Sequence, residues 1–197
     1  MREHWRRPGW WPGRRMYTWH VTFRDQPAVQ DLAARARTVL RDVPRLELVP
    51  GPWLHLTMQG IGFSDEVSGG DLAAITAAAR SRLAAVSAAP VTIGPARVLD
   101  EGIGCDAHPA AALSPARDAV RAAIGDVWGL ARVPGQADWW PHVSLAYASA
   151  GGQLALNGFD EAAAITVTEI QLIVLGRDGY RYEWETQATV RLGPAGR

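Results

Sequence analysis

The 197-residue sequence predicts a fold that mixes strands and helices, built on a duplicated strand–helix–strand unit with one histidine strand in each copy. Three observations carry that expectation. Trp53-Leu54-His55-Leu56-Thr57 and Trp140-Pro141-His142-Val143-Ser144 share the pattern Trp-x-His-x-Thr/Ser, 87 residues apart. The helices expected to begin near Pro27 and Ser114 stand the same 87 residues apart, so the repeat extends beyond five positions. Around each histidine the side chains alternate, the period-2 signature of a strand with one face in a core.

Met1 to Arg15 is rich in Arg, Trp, Pro and Gly without helical or strand periodicity, and is expected to be an irregular extension packed through Trp5, Trp10 and Trp11. A single two-lobed domain is expected over residues 16–197. Tyr17, Trp19, Val21 and Phe23 alternate with Thr18, His20 and Thr22, which predicts a strand. Pro27 opens a helix to about Asp42, with Leu32, Ala36, Val39 and Leu40 on one face. Pro50-Gly51-Pro52 break the chain before a second strand, Trp53 to Phe63, with Leu54, Leu56 and Met58 on its apolar face. Gly69 and Gly70 precede an alanine-rich helix from Asp71, its expected cap, to about Ser87. Val91 to Leu99 reads as a strand with a hairpin partner near Ile103 to His108. Ser114 and Pro115 start a helix to about Val127, and past Gly129, Pro134 and Gly135 a strand runs from His142 to Ala148. The last third reads as a strand from Ile165 to Leu175, a turn at Asp178-Gly179 and a closing strand from Tyr182 to Leu192.

Twenty basic side chains, all arginine, balance twenty acidic ones. That balance argues against bulk binding of long nucleic acid and leaves room for a small anion in a local site. Cys105 is the only cysteine, which excludes an internal disulfide and an all-cysteine zinc site and makes the cytoplasm the expected compartment. No apolar run suited to an export signal follows the pairs Arg6-Arg7 and Arg14-Arg15, and none elsewhere would span a bilayer, so no membrane partner is expected. G-x-S-x-G, Walker and dinucleotide fingerprints are missing, and Gly60-Ile61-Gly62 and Gly102-Ile103-Gly104 lack the strand-turn-helix setting of a phosphate loop.

On a strand, His55 and Thr57 emerge on one face, opposite Leu54, Leu56 and Met58, while His142 and Ser144 emerge opposite Val143 and Leu145. If the two copies pack about a pseudo-twofold axis, their apolar faces go to the cores of two lobes and the His-hydroxyl pairs face each other across a cleft. A neutral imidazole can then take a proton from an attacking water or hydroxyl while an imidazolium gives one to the leaving alkoxide. The Thr57 and Ser144 hydroxyls suit the non-bridging oxygens of a phosphodiester. An acid and a base acting independently would lower the barrier by roughly 5 to 11 kcal/mol.

His55-Leu56-Thr57-Met58 and His142-Val143-Ser144-Leu145 resemble the paired His-x-Thr/Ser-hydrophobic motifs of the 2H phosphoesterase superfamily, most nearly its 2′-5′ RNA ligase-like and cyclic nucleotide phosphodiesterase branch. The likeness runs from Tyr17 to about Leu192, with Ser144 where many relatives carry threonine. It implies a bilobal, pseudo-symmetric α+β fold, two antiparallel sheets around a central cleft with helices on the outside, and metal-independent action on 2′,3′-cyclic phosphates or 2′-5′ linkages of nucleotides or RNA ends, in the hydrolytic or the ligating direction. His55 and His142 would be catalytic and Thr57 and Ser144 substrate-binding. The protein is expected to be a monomer, and a module that binds a phosphorylated ligand or RNA end in the same cleft without turnover is the alternative function.

His20-Val21-Thr22-Phe23 repeats the short motif without the preceding Trp-x and before its helix, so His20 is expected as a substrate contact rather than a member of the pair. Trp53 and Trp140 are candidates for stacking on a base, and Tyr182 for a ligand contact. Tyr147 is expected to be a packed aromatic, and His4 and His108 surface residues. Arg24, Arg97, Arg132, Arg177 and Arg181 lie near strand ends where a guanidinium could reach phosphate. A metal centre of His20, His55 and His142 has no acidic residue at ligand spacing and no H-E-x-x-H run, so no metal or other cofactor is expected.

Overall fold

In the computed structural model, which describes residues 1–135, 139–154, 156 and 159–194, both histidine motifs open β-strands. The alternation around Trp19 gives β1 (Met16–Thr22), followed by α1 (Pro27–Leu40) with Pro27 at its start and Val29, Leu32, Ala36 and Leu40 buried. β2 (Leu46–Leu48) and a 3-10 turn over Gly51–Trp53 lead into β3 (His55–Phe63). Then come α2 (Gly69–Leu83), β4 (Ala89–Leu99), β5 (Gly102–His108), α3 (Ala110–Trp128) and β6 (His142–Ala148). β7 (Ala163–Val167), β8 (Glu169–Gly176) and β9 (Glu183–Arg191) complete the chain. The domain's expected end at residue 197 lies outside the described residues.

The strands form two antiparallel sheets, in the orders β3-β1-β8-β9 and β2-β6-β5-β4-β7. β1-α1-β3 in the first corresponds to β5-α3-β6 in the second, each a helix linking two adjacent antiparallel strands. The duplication and two-sheet architecture are therefore present, with β2 added at the edge beside β6. Leu54, Leu56 and Met58 are at most 1% exposed, and Val143 and Leu145 are buried, so each histidine strand turns its apolar face into a core. No helix among the described residues is long and apolar enough to cross a membrane.

Four local expectations are corrected. Ser68, not Asp71, caps α2: its hydroxyl accepts the Asp71 N–H at 3.0 Å, and both glycines join the helix. α3 begins at Ala110, four residues before Ser114, and absorbs Pro115 in its second turn at the loss of one backbone hydrogen bond. The run read as one strand from Ile165 to Leu175 is two, with β7 pairing to β4 in the second sheet and β8 to β1 in the first. Trp53 is not on a strand, because Pro50-Gly51-Pro52 fold into the 3-10 turn ending at that residue.

Residues 1–15 carry no helix or strand, yet they tie the sheets together. At one end the Met1 ammonium donates to the Gly152 carbonyl at 2.7 Å, and the His4 N–H to Ala148, where β6 ends, at 2.9 Å. At the other, Trp10 stands edge-on to Phe63 at the end of β3, and Arg14 donates to Asp65 and Glu66 at 2.9 and 2.6 Å. The segment thus straps the two histidine strands together at the ends away from the histidines.

Candidate active site

β3 and β6 approach each other where the sheets meet, and a cavity of about 570 Å³ opens between them, bordered by His55, Thr57, His142 and Ser144. That is room for a nucleotide-sized ligand. The two motifs, far apart in sequence, share one cavity.

Both imidazoles are held in the same way. His55 Nδ1 lies 2.8 Å from the Trp53 carbonyl and His142 Nδ1 3.0 Å from the Trp140 carbonyl, each two residues back along the chain. A carbonyl only accepts, so Nδ1 carries the hydrogen and Nε2 is left as the acceptor nitrogen of each neutral ring. Burial lowers the His55 pKa to about 4, against the bond to Trp53 that raises it and with nearby His142 lowering it further. His142 is also lowered, chiefly by burial, while the Trp140 carbonyl and Asp106 pull the other way and Arg97 adds a smaller downward push. Asp106 sits opposite His142 in the β5–β6 register and holds Arg97 at 2.9 Å.

His20 borders the same cavity but is only 1% exposed, stacked face to face on His55 at 4.5 Å between centroids. Its Nε2 lies 3.2 Å from the Thr57 hydroxyl, and its Nδ1 is buried without a partner. Orphaned N–H donors are the rarer outcome in native structures, so the hydrogen belongs on Nε2, donated to Thr57 Oγ1. Thr57 then keeps its own hydrogen for the cleft, so His20 acts behind Thr57 and His55. Trp140 stacks on His142 at 4.5 Å, with the Arg97 guanidinium 4.0 Å from its ring centre. Trp53 does not border the cavity: carried off by the 3-10 turn, its ring packs edge-on against Trp184 at 4.8 Å.

Tyr182 borders the cavity, and behind it lies a residue that sequence reasoning placed at the surface. His4 is 8% exposed, stacked on Tyr147 at 4.0 Å, and it corrects that expectation. Its Nδ1 donates to Glu101 at 3.0 Å while Nε2 accepts the Tyr182 hydroxyl at 2.8 Å, and burial lowers its pKa to about 3. Gln59 and Trp139 were also missed. Trp139 Nε1 donates across the cleft to the Thr57 carbonyl at 3.0 Å, and Gln59 spaces β3 from the loop at Pro134 at 3.0 Å. The alternation of β3 already puts Gln59 on the face of His55 and Thr57, whereas nothing local marks His4 or Trp139.

Of the five arginines singled out, Arg177 alone borders the cavity. Arg97 is engaged by Asp106, and Arg181 pairs with Glu183 at 3.3 Å. Arg24 lies over Trp53 and Arg132 over Trp128. No group of three or more His, Cys, Asp or Glu side chains placed to hold a metal ion occurs among the described residues.

A family model described as the 2′-5′ RNA ligase superfamily matches residues 23–179. No curated protein matches the sequence. Solved structures match through the fold. A Thermus thermophilus protein superposes with a TM-score of 0.71 at 17% identity, covering 91% of this chain and 98% of its own. E. coli LigT complexed with 3′-AMP gives the same four values. The PDE domain of MHV ns2 superposes with a TM-score of 0.60 at 9% identity, covering 82% of this chain and 99% of its own.

Proposed function

This chain belongs to the 2′-5′ RNA ligase superfamily, the 2H phosphoesterases, and from that membership we propose that it is a metal-independent phosphodiesterase acting on 2′,3′-cyclic phosphates or 2′-5′ linkages of nucleotides or RNA ends. The observation that supports the reading is the matched pinning of His55 and His142 by backbone carbonyls, which leaves Nε2 of each ring as the acceptor nitrogen in a cavity that both histidines, Thr57 and Ser144 border. E. coli LigT was crystallised with 3′-AMP and with ATP, which supports a nucleotide as the ligand here.

His55, kept neutral at pH 7 by burial, is the base that takes the proton from the attacking water. His142, with Asp106 opposite, is the acid that protonates the departing oxygen, and the phosphate's own negative charge favours its protonated form. Thr57 and Ser144 hold the non-bridging oxygens as charge redistributes. In the ligating direction the two histidines exchange roles.

Turnover of the four nucleoside 2′,3′-cyclic phosphates and a 2′-5′ linked dinucleotide, with a strong chelator present, tests this. Activity should persist under chelation. Binding of these compounds without any turnover would reduce the protein to a binding module.

The acid role carries its own prediction. Asp106→Asn removes the carboxylate that favours protonated His142 and frees Arg97 to disfavour it. The alkaline limb of kcat/KM against pH should move to lower pH, and an unmoved limb would take His142 out of the acid role.

A further inference from the structure

At the end of the cleft closed by the N-terminal strap, the wall changes character. Arg7, Trp10 and His4 come from the strap, and Arg177 and Tyr182 from the chain around β8 and β9. All three strap residues lie outside the stretch that the family model matches.

The charges here do not cancel. Arg2 pairs with Asp100, and Arg7 with Glu101, which also receives His4. Arg177 is the exception: among the described residues no carboxylate lies within ion-pair distance of it. Its Nη2 donates to the carbonyls of His4 at 3.2 Å and Trp5 at 3.1 Å, and the guanidinium is walled by the rings of Trp10 at 5.1 Å and Tyr182 at 5.4 Å. Burial and the nearby Arg7 charge both work against its protonated form, so an anion placed between the two guanidinia would relieve an existing repulsion.

Arg177 is not among the charged groups that bear on the two reacting imidazoles, which are His142 for His55, and Asp106 and Arg97 for His142. Tyr182 touches both regions of the cleft, its ring centre 5.8 Å from that of His55 and 5.4 Å from the Arg177 guanidinium.

We propose that Arg177, with Arg7 beside it, forms a second anion subsite that holds a phosphate of the substrate other than the one at the histidines. The inference rests on the cleft being the nucleotide site proposed above, and it names the substrate class: a nucleotide bearing a second phosphate, lodged in a cleft that the strap closes. The nearby carboxylates, Asp100 and Glu101, are each engaged by arginine and leave one positive charge in excess.

Calorimetry on the full chain, with adenosine 3′,5′-bisphosphate and adenosine 3′-monophosphate as probes, tests it without requiring turnover. The bisphosphate should bind about tenfold or more tightly, the worth of one or two charge-assisted hydrogen bonds. The gap should shrink as salt is raised. Arg177→Gln and Arg7→Gln should each narrow it, Arg177→Gln to under about threefold. Equal affinities in the unmodified protein, or a gap that survives Arg177→Gln, overturn the subsite. Should either variant fail to fold, the comparison of the two probes across ionic strength in the unmodified chain still decides. A protein that hydrolyses cyclic phosphates yet shows equal affinities loses the subsite and keeps the proposed activity. A tenfold gap without hydrolysis does the reverse.

Discussion

Replacing His55 or His142 with alanine should lower kcat/KM for the best cyclic phosphate by about a hundredfold to ten-thousandfold each, with little change in the affinity for a nucleoside 3′-monophosphate. In the proposed mechanism each ring supplies a proton transfer that water supplies poorly, and each is oriented by the carbonyl two residues before it, so neither can substitute for the other. The double variant should fall well short of the product of the two losses, because once either ring is gone the other has no partner step to complete. His20→Phe is the useful comparison. It keeps a flat ring against His55 but withdraws the donor from Thr57, so it should reduce kcat less than either alanine variant does. A His55→Ala or His142→Ala protein that folds and retains activity within about threefold would dismiss two-histidine catalysis.

Acid should unfold this protein earlier than its carboxylates alone would dictate. His4, His20 and His55 are all depressed by burial, His4 to about 3 and His55 to about 4. An unfolded chain takes up these protons near pH 6.5 while the folded chain declines them until its lower values are reached. Stability should therefore be full above about pH 6.5, fall as pH drops through 6 and 5, and level off only below the folded-state values. At about 1.4 kcal/mol per pH unit of depression, His4 and His55 place several kcal/mol at stake, and His20 adds in the same direction. The paired carboxylates Asp65, Asp126 and Asp178 are held below their usual range by Arg14, Arg82 and, for Asp178, first by the Gly13 N–H and then by Arg15. Their contribution is present above about pH 4 and is lost only below it, so the interval from pH 6.5 to 4.5 isolates the histidines. Denaturant midpoints at pH 7.5, 6.0 and 5.0 check this, with His4→Gln expected to flatten the slope. A midpoint constant across that interval would contradict the buried, neutral state of all three.

The strands that carry His55 and His142 were legible because alternation survives wherever one face is buried and the other lines a cleft. Leu54, Leu56 and Met58 had to go inward, and the polar residues between them had one other place to go. The duplication was legible for the same reason, since each copy repeats that constraint. Trp53 was misplaced because alternation says nothing of where a strand begins, and two prolines around Gly51 made a turn of the residue just before it. Pro115 misled in the opposite direction: a proline commonly marks a helix start, but Ala110 to Leu113 extended α3 ahead of it. The division of 163–176 between two sheets could not be read locally, because both halves are good strand sequence and only their distant partners differ. His4, Arg7 and Trp10 reach the cleft through contacts with Ala148, Glu101 and Phe63, which leave no periodic trace in a segment of arginine, tryptophan and glycine.

The sheet orders set a schedule for the chain as it leaves the ribosome. The second sheet draws its strands from residues 46–167 and can assemble once the middle of the molecule has emerged. The first sheet has β1 at its centre, and that strand's second neighbour, β8, is not made until residue 176, so its open edge must wait for nearly the whole chain. During that interval Trp19 and Val21 have no completed sheet around them, and a nascent chain stalled before Gly176 should be a substrate for chaperones rather than a half-built enzyme.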